Sequence, residues 1–111
     1  MMPSVRPDPA IAGKSAIVTG GSRGIGRAVA LKLGKAGYAV VVNYASNAKA
    51  ADEVVAAITV DGGKTVAIRG DVGVEADVLN LFAEAAKLGD LRVLMNNAGI
   101  QPGSGMFGPA E

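Results

Sequence analysis

Short aliphatic runs recur along this chain at nearly equal intervals. They occupy residues 15–19, 39–44, 65–70 and 92–96. The core of each run is almost continuously apolar rather than alternating, which is typical of strands buried on both faces of a sheet. The segments between the runs place apolar residues three and four positions apart, so each has one apolar stripe. Strands and helices that alternate through short connections predict a parallel sheet with right-handed crossovers.

The predicted fold is therefore α/β, a Rossmann-type three-layer sandwich with strand order 3-2-1-4 that is truncated after the fourth strand. Residues 13–100 are expected to form this half of a dinucleotide-binding domain. Residues 1–12 are expected to be a flexible tail, because Pro3, Pro7 and Pro9 interrupt any regular pattern. Residues 101–111, rich in glycine and proline, are expected to be an irregular tail.

Three local patterns predict where the helices begin and end. Gly37 and the pair at 62–63 are placed to end the first two helices. Either Ser46 or Asn47 could cap the start of the second helix. The acidic residues at 75 and 77 fall near the start of the third helix, where the helix dipole favours negative charge.

Composition excludes several kinds of site and disfavours several partners. The chain has no cysteine and no histidine, which excludes disulfides, thiolate metal sites and a histidine base. Its net charge is +1 and no basic face stands out, so we expect no nucleic-acid partner. No apolar run approaches the ~20 residues of a membrane span, and the first residues do not read as a secretory signal. We therefore expect a cytoplasmic protein without membrane contact.

A glycine-rich segment, residues 19–26 with the sequence TGGSRGIG, joins the first predicted strand to the first predicted helix. Gly20 suits a tight turn, Gly24 a close approach of the backbone to a ligand, and Gly26 close packing of helix on sheet. Amide groups at the helix start would face a pyrophosphate, and Ser22 could add a hydroxyl. Ile25 belongs to the same candidate loop. The alternative is a glycine-rich turn that binds nothing.

The glycine spacing is neither G-x-G-x-x-G nor that of a P-loop. The motif T-G-x-x-x-G-I-G resembles that of the short-chain dehydrogenase/reductase family. Two further motifs strengthen this resemblance: Asp71-Val72 after the third strand, and N-N-A-G at residues 96–99 after the apolar fourth strand. In the family, the acidic residue holds the adenine ring, and the N-N-A-G segment lines the cofactor cleft and fixes the central sheet.

The resemblance implies that Asp71 and Val72 contact the adenine, and that Asn97, Ala98 and Gly99 line the cleft. Alternatives remain for the polar residues. Asp71 could instead be a carboxylate beside a helix that bonds nearby backbone, and the asparagine amides could simply tie the fourth strand to its neighbours.

The end of the second predicted strand bears on the choice of nicotinamide cofactor. NAD-binding folds place an acidic residue ~20 residues after the glycines to bind the ribose 2′-hydroxyl. Tyr44 stands at that place here, next to Ala45, while Asn43 and Ser46 offer neutral hydrogen bonds. Arg23 is placed to meet a 2′-phosphate, as in NADP-using relatives. We therefore expect NADP rather than NAD. The alternative is that Arg23 is a solvated cation and Tyr44 merely covers the adenine.

The chemistry implied by the resemblance is hydride transfer between nicotinamide and a carbonyl or alcohol carbon. The family uses a serine and a tyrosine and lysine spaced Y-x-x-x-K. The residues four positions after Tyr38 and Tyr44 are Val42 and Ala48, so neither tyrosine fits. We assign no catalytic residue and no metal ligand, and we expect the chain alone to be inactive.

The main hypothesis is the cofactor-binding half of an NADP-dependent short-chain oxidoreductase. A small carbonyl or alcohol substrate is expected only if a C-terminal half completes the enzyme. The open edge of the fourth strand predicts a homo-oligomer or pairing with another chain. The alternative hypothesis is a stand-alone nucleotide-binding or interaction fragment without catalysis.

Overall fold

The computed structural model describes residues 10–97, and these form strands and helices in strict alternation. The elements are β1 (Lys14–Thr19), α1 (Gly24–Ala36), β2 (Ala39–Tyr44), α2 (Ala48–Val60), β3 (Thr65–Arg69), α3 (Glu75–Leu88) and β4 (Asp90–Asn96). The predicted alternation is confirmed. Residues 1–9 of the predicted tail 1–12, and all of the predicted tail 101–111, lie outside the described residues, and the domain limits stay predictions.

The four strands form one parallel sheet in the order β3-β2-β1-β4, so the predicted Rossmann-like α/β fold is confirmed. Val18 of β1 lies opposite Val42 of β2 on one side and Met95 of β4 on the other. Because the strands are parallel, their carboxyl ends meet at one edge of the sheet. The connections after β1, β2 and β3 therefore gather at that edge, where ligands bind in folds of this kind.

Helices cover both faces of the sheet. Val18, Val40 and Val42 pack against α1 and α2 in one hydrophobic cluster. Ile17 and Val41 point to the other face and pack against α3. The two central strands are thus buried on both sides, which explains why their sequences are continuously apolar.

The helix ends follow local signals in the sequence. α1 ends at Ala36 and is capped by Gly37, whose φ of 117° lets its N–H donate to the carbonyls of Leu33 and Gly34. At the start of α2, Asn47 Oδ1 accepts a hydrogen bond from Ala50 N at 3.0 Å, so Asn47 rather than Ser46 is the cap. The first turn of α3 carries both predicted acidic residues.

β4 begins at Asp90, two residues before the predicted start of the fourth strand. The earlier start arises because Lys14 pairs with Asp90, with a register shift between Ser15 and Ala16. Within residues 10–97, β4 pairs with β1 alone, and Leu94 is 53% exposed. Association through this edge stays a prediction.

Within residues 10–97, no helix is both long enough and apolar enough to cross a membrane. The predicted cytoplasmic location stays a prediction.

Candidate functional site

A cleft with a volume of about 620 Å³ lies at the carboxyl edge of the sheet. Its walls come from the β1–α1 turn, the segment after β2, the segment after β3 and the residue after β4. The lining residues are Gly20, Ser22, Arg23, Gly24, Ile25, Asn43, Tyr44, Ala45, Ser46, Asn47, Gly70, Asp71, Val72 and Asn97.

Twelve residues predicted to bind the cofactor lie in this lining, and the structure brings them together. Gly26 is buried and does not line the cleft, and Ala98 and Gly99 are outside the described residues. Sequence reasoning missed Asn47 and Gly70. Each is the immediate chain neighbour of a predicted residue, and that adjacency was the available signal. The ligand contacts of these residues stay predictions.

The glycine turn leads directly into the first turn of α1. Gly24 has a φ of 59°, in the left-handed region that favours glycine, and α1 begins at this residue. The first helical turn carries no acidic side chain, and the residue before it is Arg23. The amide groups at the start of α1 thus meet a cationic environment, which suits an anionic group such as a pyrophosphate.

Gly26 sits where no side chain fits. A Cβ at this position would collide with the carbonyl oxygen of Gly20 and would lie 2.7 Å from Nδ2 of Asn97. Real Cβ atoms essentially never approach other atoms so closely. The absence of a side chain therefore allows α1, the glycine turn and the end of β4 to meet at one point.

Thr19 and Asn97 tie the end of β4 to the glycine turn. Thr19 Oγ1 accepts a hydrogen bond from Asn97 N at 2.8 Å and lies 3.1 Å from Asn96 Oδ1, to which it donates. Asn97 Nδ2 donates to the carbonyl of Gly20 at 3.2 Å. Asn97 therefore both lines the cleft and anchors the strand, so the two alternatives for this asparagine are compatible.

Asn43 links two walls of the cleft from a buried position. Its side chain is 2% exposed, and Nδ2 donates to the carbonyls of Ile68 at 3.2 Å and Gly70 at 3.1 Å. Its Oδ1 accepts from Gly20 N at 3.4 Å, and its own carbonyl accepts from Gly21 N at 3.0 Å. The direct hydrogen bond from this carboxamide to the ligand that the sequence predicts stays a prediction. In the structure its hydrogen bonds serve the protein backbone.

Asp71 is exposed at the mouth of the cleft. Its Oδ1 accepts a hydrogen bond from Gly73 N, and its own N–H donates to Oδ2 of Asp77, both at 2.8 Å. The alternative interpretation of a carboxylate bonded to nearby backbone is thus realised. Within residues 10–97 the hydrogen bonds of this carboxylate involve Oδ1, and Oδ2 is left to face solvent or a ligand.

Two charged residues line the cleft, Arg23 in the β1–α1 turn and Asp71 after β3. The lining after β2 holds no carboxylate, and Arg23 is exposed in the glycine turn. The ion pairs among residues 10–97 involve Lys14, Lys87 and Arg92 with Asp90 and Glu84, and none involves a cleft residue. Arg23 is therefore not neutralised by a partner in this part of the chain.

The hydrogen bond and charge of Arg92 lower the pKa of Asp90 below its ordinary value. Asp90 begins β4 and pairs with Lys14 at the start of β1, at the end of the sheet opposite the cleft. The lowered pKa of Asp90 therefore arises from ion pairs at the start of β4 and does not concern the cleft. In the described part of the chain, no group of acidic side chains could hold a metal ion.

Comparisons with known proteins agree on one family. The sequence model for the short chain dehydrogenase family matches residues 14–110. Tetrahydroxynaphthalene reductase from Pyricularia oryzae is 45% identical over 89 residues, which are 79% of this chain and 31% of that protein. An uncharacterized oxidoreductase from Methylorubrum extorquens is 51% identical over 89 residues, or 79% of this chain and 36% of its own length. The chain thus spans about a third of the length of these relatives.

Solved structures agree with this similarity. The angucycline C-6 ketoreductase LanV, solved with bound NADP, has a TM-score of 0.72 and 46% identity. That match covers 86% of this chain and 40% of LanV. A short-chain dehydrogenase/reductase from Serratia marcescens gives a TM-score of 0.75 and 42% identity, with 81% of this chain and 37% of that chain covered.

Proposed function

This chain belongs to the short-chain dehydrogenase family, and from that membership we propose that it is the NADP-binding half of an oxidoreductase. The complete enzyme would move a hydride between the nicotinamide and a carbonyl or alcohol carbon of a small molecule. The names of the relatives support this reaction class, since they include a tetrahydroxynaphthalene reductase and a ketoreductase solved with NADP.

The observation that carries the proposal is the charge pattern of the cleft. The glycine turn presents the start of α1 to an anion, and the segment after β2 has no carboxylate to repel a second phosphate. Arg23 adds an exposed guanidinium with no ion-pair partner within residues 10–97. The start of α1 suits the pyrophosphate that both dinucleotides carry, and the other two features favour a cofactor with an additional 2′-phosphate.

Each wall of the cleft has its own proposed part in holding the cofactor. Ser22 and the amides at the start of α1 would bind the pyrophosphate, and Arg23 the 2′-phosphate. Tyr44 and Ser46 would lie against the adenosine ribose, while Asp71 and neighbouring backbone would hold the adenine. Bound NADP would supply or accept the hydride. The protein residues would bind the cofactor and orient it.

A catalytic role within this chain is not part of the proposal. Neither tyrosine is followed by lysine four residues on, since Val42 and Ala48 occupy those positions. We propose that the chain by itself binds NADP without reducing carbonyl compounds. An assay of NADPH oxidation with a panel of ketones tests this, and carbonyl-dependent oxidation by the chain alone would contradict it.

Fluorescence titration of the chain with NADPH and NADH tests the cofactor. We expect tighter binding of NADPH, and Arg23→Ala should weaken NADPH binding about tenfold while changing NADH binding little, because charge-assisted hydrogen bonds contribute about 1.5 kcal/mol or more. Arg27→Ala is the matched control, because Arg27 is exposed one helical turn later and does not line the cleft. Equal losses for both cofactors in Arg23→Ala would refute the 2′-phosphate role.

A further inference from the structure

Arg69, the last residue of β3, contacts the segment that follows β2. Its Nε donates a hydrogen bond to the carbonyl of Ala45 at 3.2 Å. The contact follows from the register of the sheet, in which Tyr44 lies directly opposite Arg69. Ala45 itself lines the cleft. A guanidinium is therefore held against the segment that stands where NAD-binding proteins carry an acidic residue.

The charge of Arg69 has no partner in the part of the chain that the structure describes. None of the ion pairs within residues 10–97 includes it, and Nε is the only atom of the side chain with a hydrogen-bond partner there. The residue is exposed. Its terminal amino groups, which make the bidentate contacts of arginine to phosphates, are thus available.

The sheet order puts Arg69 and Arg23 on opposite sides of β2, with Arg23 in the cleft lining and Arg69 just beyond Ala45, which lines it. Arg23 follows β1, Arg69 ends β3, and β2 lies between these two strands. The segment after β2 is therefore flanked by a cation on each side. It contains no carboxylate in residues 43–47 to neutralise either one.

We propose that Arg69 is a specificity-determining residue that, together with Arg23, surrounds the 2′-phosphate of NADP. The inference rests on the proposed NADP binding. A phosphate bound between two guanidinium groups gains charge-assisted contacts that a ribose hydroxyl cannot make, so the second cation increases the preference for NADP over NAD. Arg69 was not among the residues singled out by sequence.

A purely structural role for Arg69 is distinguishable from this one. In glutamine, Nε2 occupies the same position along the side chain as Nε of arginine. Arg69→Gln therefore keeps a donor for the Ala45 carbonyl and removes the charge. Arg69→Lys keeps the charge close to its original place. If Arg69 only held the segment after β2, the glutamine variant would bind both cofactors as the wild type does.

The test measures affinities of the whole chain for NADPH and NADH by fluorescence titration, at low and at high salt. Arg69→Gln should bind NADPH about fivefold more weakly than the wild type and should bind NADH with unchanged affinity. Arg69→Lys should keep most of the wild-type affinity for NADPH. The NADPH loss should shrink at high salt, since exposed charges are screened. Lys64→Gln is the control, because Lys64 is exposed just before the opposite end of β3 and undergoes the same change of charge.

The outcomes separate the inference from the function on which it rests. Preferential NADPH binding by the wild type that Arg69→Gln leaves intact would overturn the inference alone. An equal loss for NADPH and NADH would also overturn it, because the 2′-phosphate would then not be what Arg69 senses. A wild-type chain without preference for NADPH would overturn the proposed cofactor together with this inference.

Discussion

Asn43→Asp exchanges one donor group for an oxygen in the wall of the cleft. Nδ2 of Asn43 donates to the carbonyls of Ile68 at 3.2 Å and Gly70 at 3.1 Å. A carboxylate would set a negative oxygen against both carbonyl oxygens. The bond from Gly20 N to Oδ1 can persist, because aspartate keeps that acceptor. The substitution thus isolates the donor side of the network with almost no change in volume.

The expected cost follows from burial. A buried carbonyl that loses its donor costs about 1–3 kcal/mol, and two carbonyls are affected. The side chain is 2% exposed, so a charge there is poorly solvated. For two carbonyls the range is about 2–6 kcal/mol. We expect a loss of about 3 kcal/mol in the free energy of unfolding at pH 7, in the lower part of that range, because Asn43 lines the cleft and water can enter there.

The loss should depend on pH with a definite sign. Burial and the facing carbonyls raise the pKa of the introduced carboxyl above that of the unfolded chain. The folded state therefore disfavours the charged form, and the penalty grows as the pH rises from the unfolded pKa towards the folded one. At pH 4 the protonated carboxyl can donate to one carbonyl, so the variant should lie closer to the wild type.

Urea unfolding followed by circular dichroism at pH 4 and pH 7 measures both quantities. Asn47→Asp is the matched control. Asn47 is exposed and caps α2 through Oδ1, an acceptor that aspartate retains, and a negative charge is favourable at this helix end. The control should match or slightly exceed the wild type. Equal unfolding free energies for Asn43→Asp and wild type at pH 7 would refute the argument.

Two further predictions concern Gly26 and Asp90. Gly26→Ala should gain about 0.5–1 kcal/mol from helix propensity but lose more, about 1–3 kcal/mol, from the close contacts with Gly20 and Asn97. Urea unfolding should therefore show a net loss, and a more stable variant would contradict the packing argument. The pKa of Asp90 is lowered from 3.8 by Arg92, so its stabilising contribution is present above that pH and is lost as the pH falls below it. Acid titrations of stability should be flatter below pH 4 in Asp90→Asn, and identical slopes would count against the ion pair.

The fold could be predicted from sequence because its strongest signals are local. β1 and β2 read as continuous apolar runs, since helices cover both of their faces. Gly37 and Asn47 mark helix ends through their own backbone or side-chain chemistry. The start of β4 could not be predicted, because Asp90 joins the strand through its pairing with Lys14, a partner distant in sequence.

In the candidate site, too, features set by local sequence could be predicted, and contacts between residues distant in sequence could not. The glycine turn and the residues after β2 and β3 could be placed, because parallel strands bring their carboxyl ends to one edge. The direction of the Asn43 carboxamide could not, since its partners Ile68 and Gly70 belong to a different strand and the loop after it. The contact of Arg69 with Ala45 also depends on the register between β2 and β3.

Two sets of polar residues in and beside the cleft should respond differently to substitution. Hydrogen bonds within the walls, mostly to backbone groups, are made by Thr19, Asn43 and Asn97. Arg23 and Arg69 are exposed and make no ion pair within residues 10–97. Substitutions in this first set should lower stability and weaken the binding of both cofactors together, because they move the walls. Substitutions of the exposed arginines should change the ratio of NADPH to NADH affinity at constant stability, because they alter only the charge that a 2′-phosphate meets.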